Sequence, residues 1–401
     1  MIHDALIIGG GPAGATTAWL LARAGWSVVL VEKALFPRRK VCGEFISATT
    51  LPLLRMLGLE EVFLEMAGPP VREVGLYAGK YRLTAPMPIT AGNSGWGRAL
   101  GREHLDSLLL EGARKSGVEI LQPCVANELI RQNGIFICQA TAPGSKSGRE
   151  LQARVVVAAH GSWEKGKLPT QVPKQQLRSH DLLAFKAHFR QTELQPGLMP
   201  LLAFPRGYGG MVHTDHGRVS LSCCIRRDQL QRIRTPDHQC AGETVLAHIL
   251  EHCAGVHNAL SNAQRDGVWL SSGPIRPGIR TLYHDGIFAV GNTAGEAHPV
   301  VAEGISMAMQ GAWLLSEMLN AGRAQILRGE MGEIGDAYKK VWCRCFAPRL
   351  RSASLFAHLA MRPAATKILL PLFRFIPALL TACTRFSGKT RTVVTRIIGE
   401  I

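Results

Sequence analysis

Hydrophobic and polar positions along this chain switch between strand and helix periods in a recognisable order. Ala5-Leu6-Ile7-Ile8 is a short unbroken apolar run, the mark of a strand covered on both faces. Gly9-Gly10-Gly11-Pro12-Ala13-Gly14 follows as a turn, and Ala15 to Arg23 then reads as a helix. Ala24-Gly25-Trp26 stops that helix, and Ser27-Val28-Val29-Leu30-Val31 is a second buried strand ending at Glu32. Helices are predicted near Thr50 to Leu57 and over Arg102 to Ala113, with strands at Gly117–Leu121 and Val155–Ala159. Val71 to Pro88 reads as short strands outside the first domain. From Leu182 to about Gly273 strand patterns dominate (Leu183–Phe189, Arg218–Ile225), with one helix near Glu243 to Cys253. The first flavour then returns: strand Gly286–Val290, glycine turn Gly291–Gly295, and a long helix Glu303–Leu315.

This order predicts an α/β chain in which a Rossmann-like domain is interrupted by a mostly antiparallel β domain. The expected boundaries are 1–70, 96–165 and 276–322 for the nucleotide domain. The substrate domain takes 71–95 and 166–275, and 323–401 is a basic helical C-terminal region.

The spacing of Gly9, Gly11 and Gly14 is the G-x-G-x-x-G fingerprint of a dinucleotide site. The first glycine permits the tight turn and the second lets a pyrophosphate approach the backbone. The third lets helix and strand pack closely. The helix N-terminus offers N–H groups and partial positive charge to phosphates. Glu32 stands where an acid bonds a ribose hydroxyl. Arg102, at a helix start, opposes the dipole, so a local phosphate or acid partner is expected.

The chain has 401 residues, 46% hydrophobic and 19% charged, which bounds it as globular. Met1-Ile2-His3-Asp4 carries no basic n-region, and ten cysteines lie without a framework spacing; both lead to a cytoplasmic expectation with reduced thiols. The fourteen histidines read as not clustering with acids or thiols at ligand spacing, so no metal is expected. Formal net charge is +16, and twelve basic residues from Lys339 onward against Glu400 alone account for +11 of it. No nucleic-acid partner is expected. The tail also holds the most apolar run, Ile368 to Leu380, too short to span a bilayer. Two readings stay open: an anchor on anionic lipid, or helices packed on the body with their basic residues in water. Docking to an acidic carrier protein or CoA ester is a third.

Taken together, the motifs resemble the FAD-dependent oxidoreductases of the aromatic-hydroxylase fold, most closely the geranylgeranyl-reductase-like branch. The fingerprint with Glu32 carries the resemblance first. Pro37-Arg38-Arg39-Lys40-Val41-Cys42-Gly43 is similar to the P-R-x-K-x-C-G loop, and Arg102 with Leu105-Asp106 is similar to the R-x-x-L-D helix start. Gly291 to Gly311 is similar to the G-D-A-A-G…P-x-x-G-E-G-I-x-x-A-M stretch under the flavin. Three residues depart from the pattern: Asn292 for the ribityl-binding Asp, His160 for the Asp of a D-G pair, and Ala302 for the first glycine of G-E-G.

The fingerprint and the resemblance imply FAD contacts at Gly9, Gly11, Pro12, Ala13, Gly14, Glu32, Lys33, Lys40, Cys42, Gly43, Arg102, Gly291, Asn292, Gly304 and Ile305. Catalytic residues are unassigned, with Cys42, Glu44 and His213 as candidates. The implied activity is reduction or oxidation of carbon–carbon bonds in a hydrophobic small molecule, with NAD(P)H as electron donor. A monooxygenase on the same fold and a flavin-binding protein without turnover remain alternatives. A halogenase is disfavoured because no G-W-x-W-x-I-P stretch is present. The expected location is cytoplasmic, with the membrane surface as an option.

Overall fold

The structure, a computed structural model, describes residues 1–89, 95–145, 147–162, 166–171, 176–234 and 240–393. Arg396 and Glu400 of the basic tail lie outside them. The first apolar run forms β1 (Ile2–Ile8). Gly11 caps α1 (Pro12–Arg23), which starts earlier than the apolar period because Pro12 suits the first turn, where its missing N–H costs nothing. β2 (Val28–Val31) runs parallel to β1, with Ile8 opposite Val31. After α2 (Arg102–Lys115), β3 (Arg149–Ala158) pairs parallel to the other side of β1, with Ile8 opposite Ala158.

Ile287–Ala289 extends this eight-stranded sheet beyond β3, and Glu119–Leu121 extends it beyond β2. β1, β2 and β3 therefore end together, at the edge where open α/β sheets hold ligands. β3 begins at Arg149, well before its apolar stretch, because its first half pairs with Ile135–Thr141 of an antiparallel hairpin. That hairpin, Val125–Gln132 with Ile135–Thr141, went unread in the sequence; its second strand alternates half-buried and buried positions, while its first is mostly exposed or half-buried.

The second sheet has seven strands, among them β4 (Leu182–Arg190) and β5 (Gly207–His213). All its pairings are antiparallel except that of Leu198–Phe204 with Glu73–Ala78. One face of this sheet is closed by the helix Ala241–His252, with Phe185, Leu221, Val245 and Ile249 at the shared core.

The chain then returns to the first sheet and forms α3 (Gly304–Ala321). Ala15 and Ala18 of α1, Leu109 of α2, and Met309 and Trp313 of α3 share one core. α4 (Gly332–Ala360) adds Tyr338, Trp342 and Phe346 to that core. α5 (Pro363–Phe375) buries only Leu370. No single helix among the described residues is long and apolar enough to cross a membrane.

The fingerprint glycines divide by role. A Cβ on Gly14 would lie 1.9 Å from the Gly9 carbonyl oxygen, whereas one on Gly11 would meet only the Arg102 guanidinium, at 3.8 Å. Gly14→Ala is therefore expected to cost about 3 kcal/mol or more of unfolding free energy. Gly11→Ala is expected to stay within about 1 kcal/mol of wild type while weakening FAD binding. Chemical denaturation of both variants checks this; equal losses would contradict the division.

Candidate cofactor and substrate site

A single trough of about 480 Å³ runs from the Gly9–Ala13 turn to the start of α3, so the two glycine turns face one cavity. All the predicted contact residues line it except Gly14, which is a packing position. Both helices that point into it have open N-termini. Neither α1 nor α3 has a side-chain cap or an acidic residue in its first turn, so among the described residues their leading N–H groups have no side-chain cap. A Cβ placed on Gly304 would meet nothing within 4 Å, which leaves the α3 end open to a ligand.

At the α1 end, Glu32 is buried and fixed at the tip of β2. Its carboxylate accepts from Gly10 N–H at 2.7 Å and Ala34 N–H at 2.8 Å. Arg38 approaches it at 3.4 Å, while the buried Arg38 Nε–H has no hydrogen-bond partner among the described residues. Arg102 receives the acid partner its position called for. Its guanidinium donates two bonds of 2.7 Å to Asp106, one turn along α2. Burial opposes that charge, but Asp106 outweighs it and raises the arginine's pKa. Lys40 lines the same end, and burial, with Arg38 and Arg102 nearby, pushes its ammonium down to about 8. Open N–H groups, an orphaned donor and three cations suit a diphosphate. The residues present thus fit an FAD laid along the trough.

At the α3 end, Asn292 does not stand alone. Its amide donates to Glu296 at 3.1 Å, and Arg280 bridges Glu296 and the Asn292 carbonyl. Glu296 is buried, lines the trough, and has its pKa raised by burial despite Arg280. A carboxyl group thus stands at this end of the trough, held by Asn292 and Arg280. His160 is held by Gly161 O at 3.0 Å and Thr170 Oγ1 at 2.9 Å. Ala302 sits at φ 52°, in the left-handed region that a glycine would adopt without a Cβ penalty.

The three catalytic candidates part company. Cys42 lines the trough. Glu44 lines it as well, but as a structural charge. Its carboxylate pairs with Lys186 and accepts from His188 Nε2 at 2.8 Å and from the Arg102 N–H at 3.2 Å. Burial would raise its pKa; Lys186 and His188 together drive it well below the usual carboxylate range. Glu44 is therefore a locked anion rather than an acid that gives up a proton. His213 lies at the end of β5, outside the trough lining, bonded to Leu194 O at 2.8 Å. As a group meeting a substrate it is corrected by this placement: its neighbours Met211 and Val212 line the trough instead.

The reading of the histidines is also corrected. His248, Glu251 and His252 bring ligand-type atoms together on one helix turn, and His104, Asp215 and His216 do so beside α2. The first group follows from i, i+3, i+4 spacing and could have been read. Its rings lie 4.4 Å apart, tilted by 52°, and His248 Nε2 faces Pro205 O. In the second, Asp215 is committed to the Gly101 N–H and to Arg218.

Sequence reasoning missed Tyr208, His298 and Glu296. Tyr208 OH lies 3.1 Å from His298 Nδ1, and both rings line the trough. Burial, with His358 nearby, pushes His298 down to about 4, and burial raises Tyr208 well above its ordinary value. The pair is therefore neutral near pH 7.

A family model described as FAD binding domain matches residues 3–339. Digeranylgeranylglycerophospholipid reductase 2 of Methanopyrus kandleri is 25% identical over 315 residues, 76% of this chain and 74% of that protein. Tryptophan 2-halogenase of Chondromyces crocatus is 36% identical over 119 residues, 29% of this chain and 22% of that protein. Among solved structures, the flavin-dependent brominase Bmp2 has a TM-score of 0.76 at 19% identity, covering 97% of this chain and 94% of its own. A geranylgeranyl bacteriochlorophyll reductase-like protein of Thermoplasma acidophilum has 0.74 at 17% identity, covering 100% and 99%. At these identities the structural likeness concerns the fold.

Lys40 gives this site a pH signature. Its protonated form attracts a diphosphate, and its lowered pKa removes that charge near pH 8 rather than 10.5. FAD affinity of the apoprotein is expected to be flat below about pH 7 and to fall above about pH 8. Lys40→Met is expected to weaken binding about tenfold at pH 7, roughly 1.4 kcal/mol, and to abolish the fall. Fluorescence titration of FAD across pH checks this; an unchanged profile in the variant would contradict it.

Proposed function

The chain belongs to the FAD-binding-domain family of the aromatic-hydroxylase fold, whose members are FAD-dependent oxidoreductases, and on that footing we propose that it reduces carbon–carbon double bonds of a hydrophobic small molecule, with NAD(P)H as electron donor. The carrying observation is the lining of the trough. Met199, Leu201, Met211, Val212, Ile275 and Val300 add apolar side chains to the same cavity that the cofactor-site residues line. Such a wall accepts an alkyl or prenyl chain and excludes water. When bound, FAD supplies hydride-level redox chemistry.

The chain's own residues do the rest. The open α3 N-terminus favours negative charge on the group facing it. Tyr208 holds a phenolic proton on the lining of the same trough, with His298 orienting its hydroxyl. Reduction of a double bond consumes one hydride and one proton, and on this reading the Tyr208 hydroxyl is the source of the second. The match to the Methanopyrus reductase spans three quarters of this chain, whereas that to the Chondromyces halogenase spans less than a third, which favours the reductase reading over halogenation.

We further infer that α5 rests on an anionic membrane surface, from which such a substrate would enter. Ile368, Leu372 and Phe375, at i, i+4 and i+7, are 75, 45 and 82% exposed on one face. Lys367, Arg374 and Arg385 are exposed around them, and residues 337–399 contain no acid. An apolar stripe with cationic flanks suits anionic lipid headgroups, each cation adding about 1 kcal/mol near the surface.

Two measurements check these readings. Anaerobic addition of NADPH or NADH to the FAD-loaded protein is expected to bleach the visible flavin band. Oxygen uptake coupled to a hydroxylated product would instead establish the monooxygenase. The protein is expected to sediment with phosphatidylglycerol vesicles but not with phosphatidylcholine vesicles, and Leu372→Ser/Phe375→Ser is expected to reduce this at least fivefold, about 1 kcal/mol. Failure to sediment with the anionic vesicles, or full binding by the variant, would overturn the membrane reading and return the carrier protein as the partner.

A further inference from the structure

The far end of the chain reaches the cofactor site from behind its wall. α6 (Ala378–Thr384) and the turn Arg385–Lys389 that continues it fold back across α4, where Ser352 Oγ donates to Phe386 O at 3.2 Å. Gly388 sits at φ 103°, and a Cβ placed on it would lie 2.7 Å from Arg349 Cδ of α4. A glycine there lets the backbone lie flush on the buried Arg349, and the next residue, Lys389, is only 5% exposed. This turn lies beyond residues 3–339, the span that the family model matches.

The Lys389 ammonium donates to Val301 O at 2.6 Å and to Glu303 Oε1 at 3.1 Å, and it lies 4.8 Å from the centre of the Phe45 ring. Val300, Ala302 and Gly304 line the trough, whereas Val301 and Glu303 do not. The lysine therefore grips alternate residues of the wall from the side away from the cavity. Glu303 is the N-cap residue of α3, yet its side chain does not cap its own helix. Its buried carboxylate has Lys389 on one oxygen and Ser47 Oγ 3.4 Å from the other. Neighbouring Arg349 bonds to Gln310 Oε1 and Arg391 O instead. Burial pushes the Lys389 pKa down, and Glu303 opposes that fall.

A helix N-terminus carries about half an elementary charge, so a full negative charge one residue before Gly304 would outweigh it. We propose that Lys389 is a positioning residue of the cofactor site: it neutralises Glu303 behind the trough wall, so that the α3 N-terminus stays positive toward a reduced flavin ring. This rests on the reading that FAD lies with its ring against α3, and it gives the C-terminal segment a part in setting the flavin's reduction potential.

The test is the two-electron reduction potential of the bound flavin, read anaerobically against a reference dye in FAD-loaded wild type, Lys389→Met, Glu303→Gln and the double variant. Lys389→Met leaves Glu303 uncompensated. It is expected to lower the ratio of reduced to oxidised flavin at a fixed potential at least tenfold, a shift of about 30 mV to more negative values. Glu303→Gln is expected to raise that ratio at least threefold. The double variant replaces a buried pair by neutral groups and strands no charge, and it is expected to return to within threefold of wild type. A structural role alone would leave the double variant as displaced as Lys389→Met, and that result would overturn the proposal. If the stranded carboxylate keeps Lys389→Met from folding, Glu303→Gln decides: an unchanged or more negative potential overturns the proposal. A wild type that takes up no FAD would overturn the cofactor reading itself, whereas FAD-loaded proteins that all share one potential would overturn only the part given to Lys389.

Discussion

One buried carboxylate ties the two halves of this protein together. Glu44 leaves the first domain at φ 63°, reaches Lys186 and His188 on β4 of the second sheet, and accepts the N–H of Arg102 at the start of α2. Removing either charge of such a pair leaves the other buried without compensation, at a cost of about 3–5 kcal/mol. The pair therefore holds the loop at positions 38–44 against the trough, with Arg38, Lys40 and Cys42 on its wall. It also fixes Arg102, whose guanidinium stands over the Gly11 turn. Its charge is kept by Lys186 and His188 at neutral pH and lost only on strong acidification, since its pKa lies below that of an unfolded carboxyl.

Within that frame, the trough is organised by two helix ends. α1 and α3 come from opposite ends of the Rossmann-like domain in sequence, yet both point uncapped N–H groups into one cavity. Parallel pairing of β1 with β3, and of β3 with Ile287–Ala289, forces this convergence because it brings the strand tips to one edge. The negative charges of a diphosphate and of a reduced flavin ring each meet a positive helix terminus.

What could be read from sequence follows from how local the physics is. The Gly9–Gly14 turn, Glu32 and the Gly304 helix start are encoded in short windows, because turn geometry and helix dipoles depend on adjacent residues. Arg102 announced a missing partner by opposing its own helix, and Asp106 answers one turn later. Lys186 and His188 could not be read this way. On β4 they share one face at period two, the pattern of a solvated side, and only the approach of the first domain buries them. Glu296 escaped notice because its role depends on Asn292, whose amide needs an acceptor. His213 misled for the reverse reason: it ends β5, where its ring is bonded to Leu194 O and the trough lining stops at Val212.

The central claim is that a single FAD spans both helix ends. A crystal structure of the protein with FAD tests it most directly. The account predicts diphosphate oxygens within hydrogen-bonding distance of the N–H groups of Gly11 and Ala13, and the flavin ring against Gly304 and Ile305. A structure with the adenosine half at Gly11 and the ring outside the trough, away from α3, would contradict it.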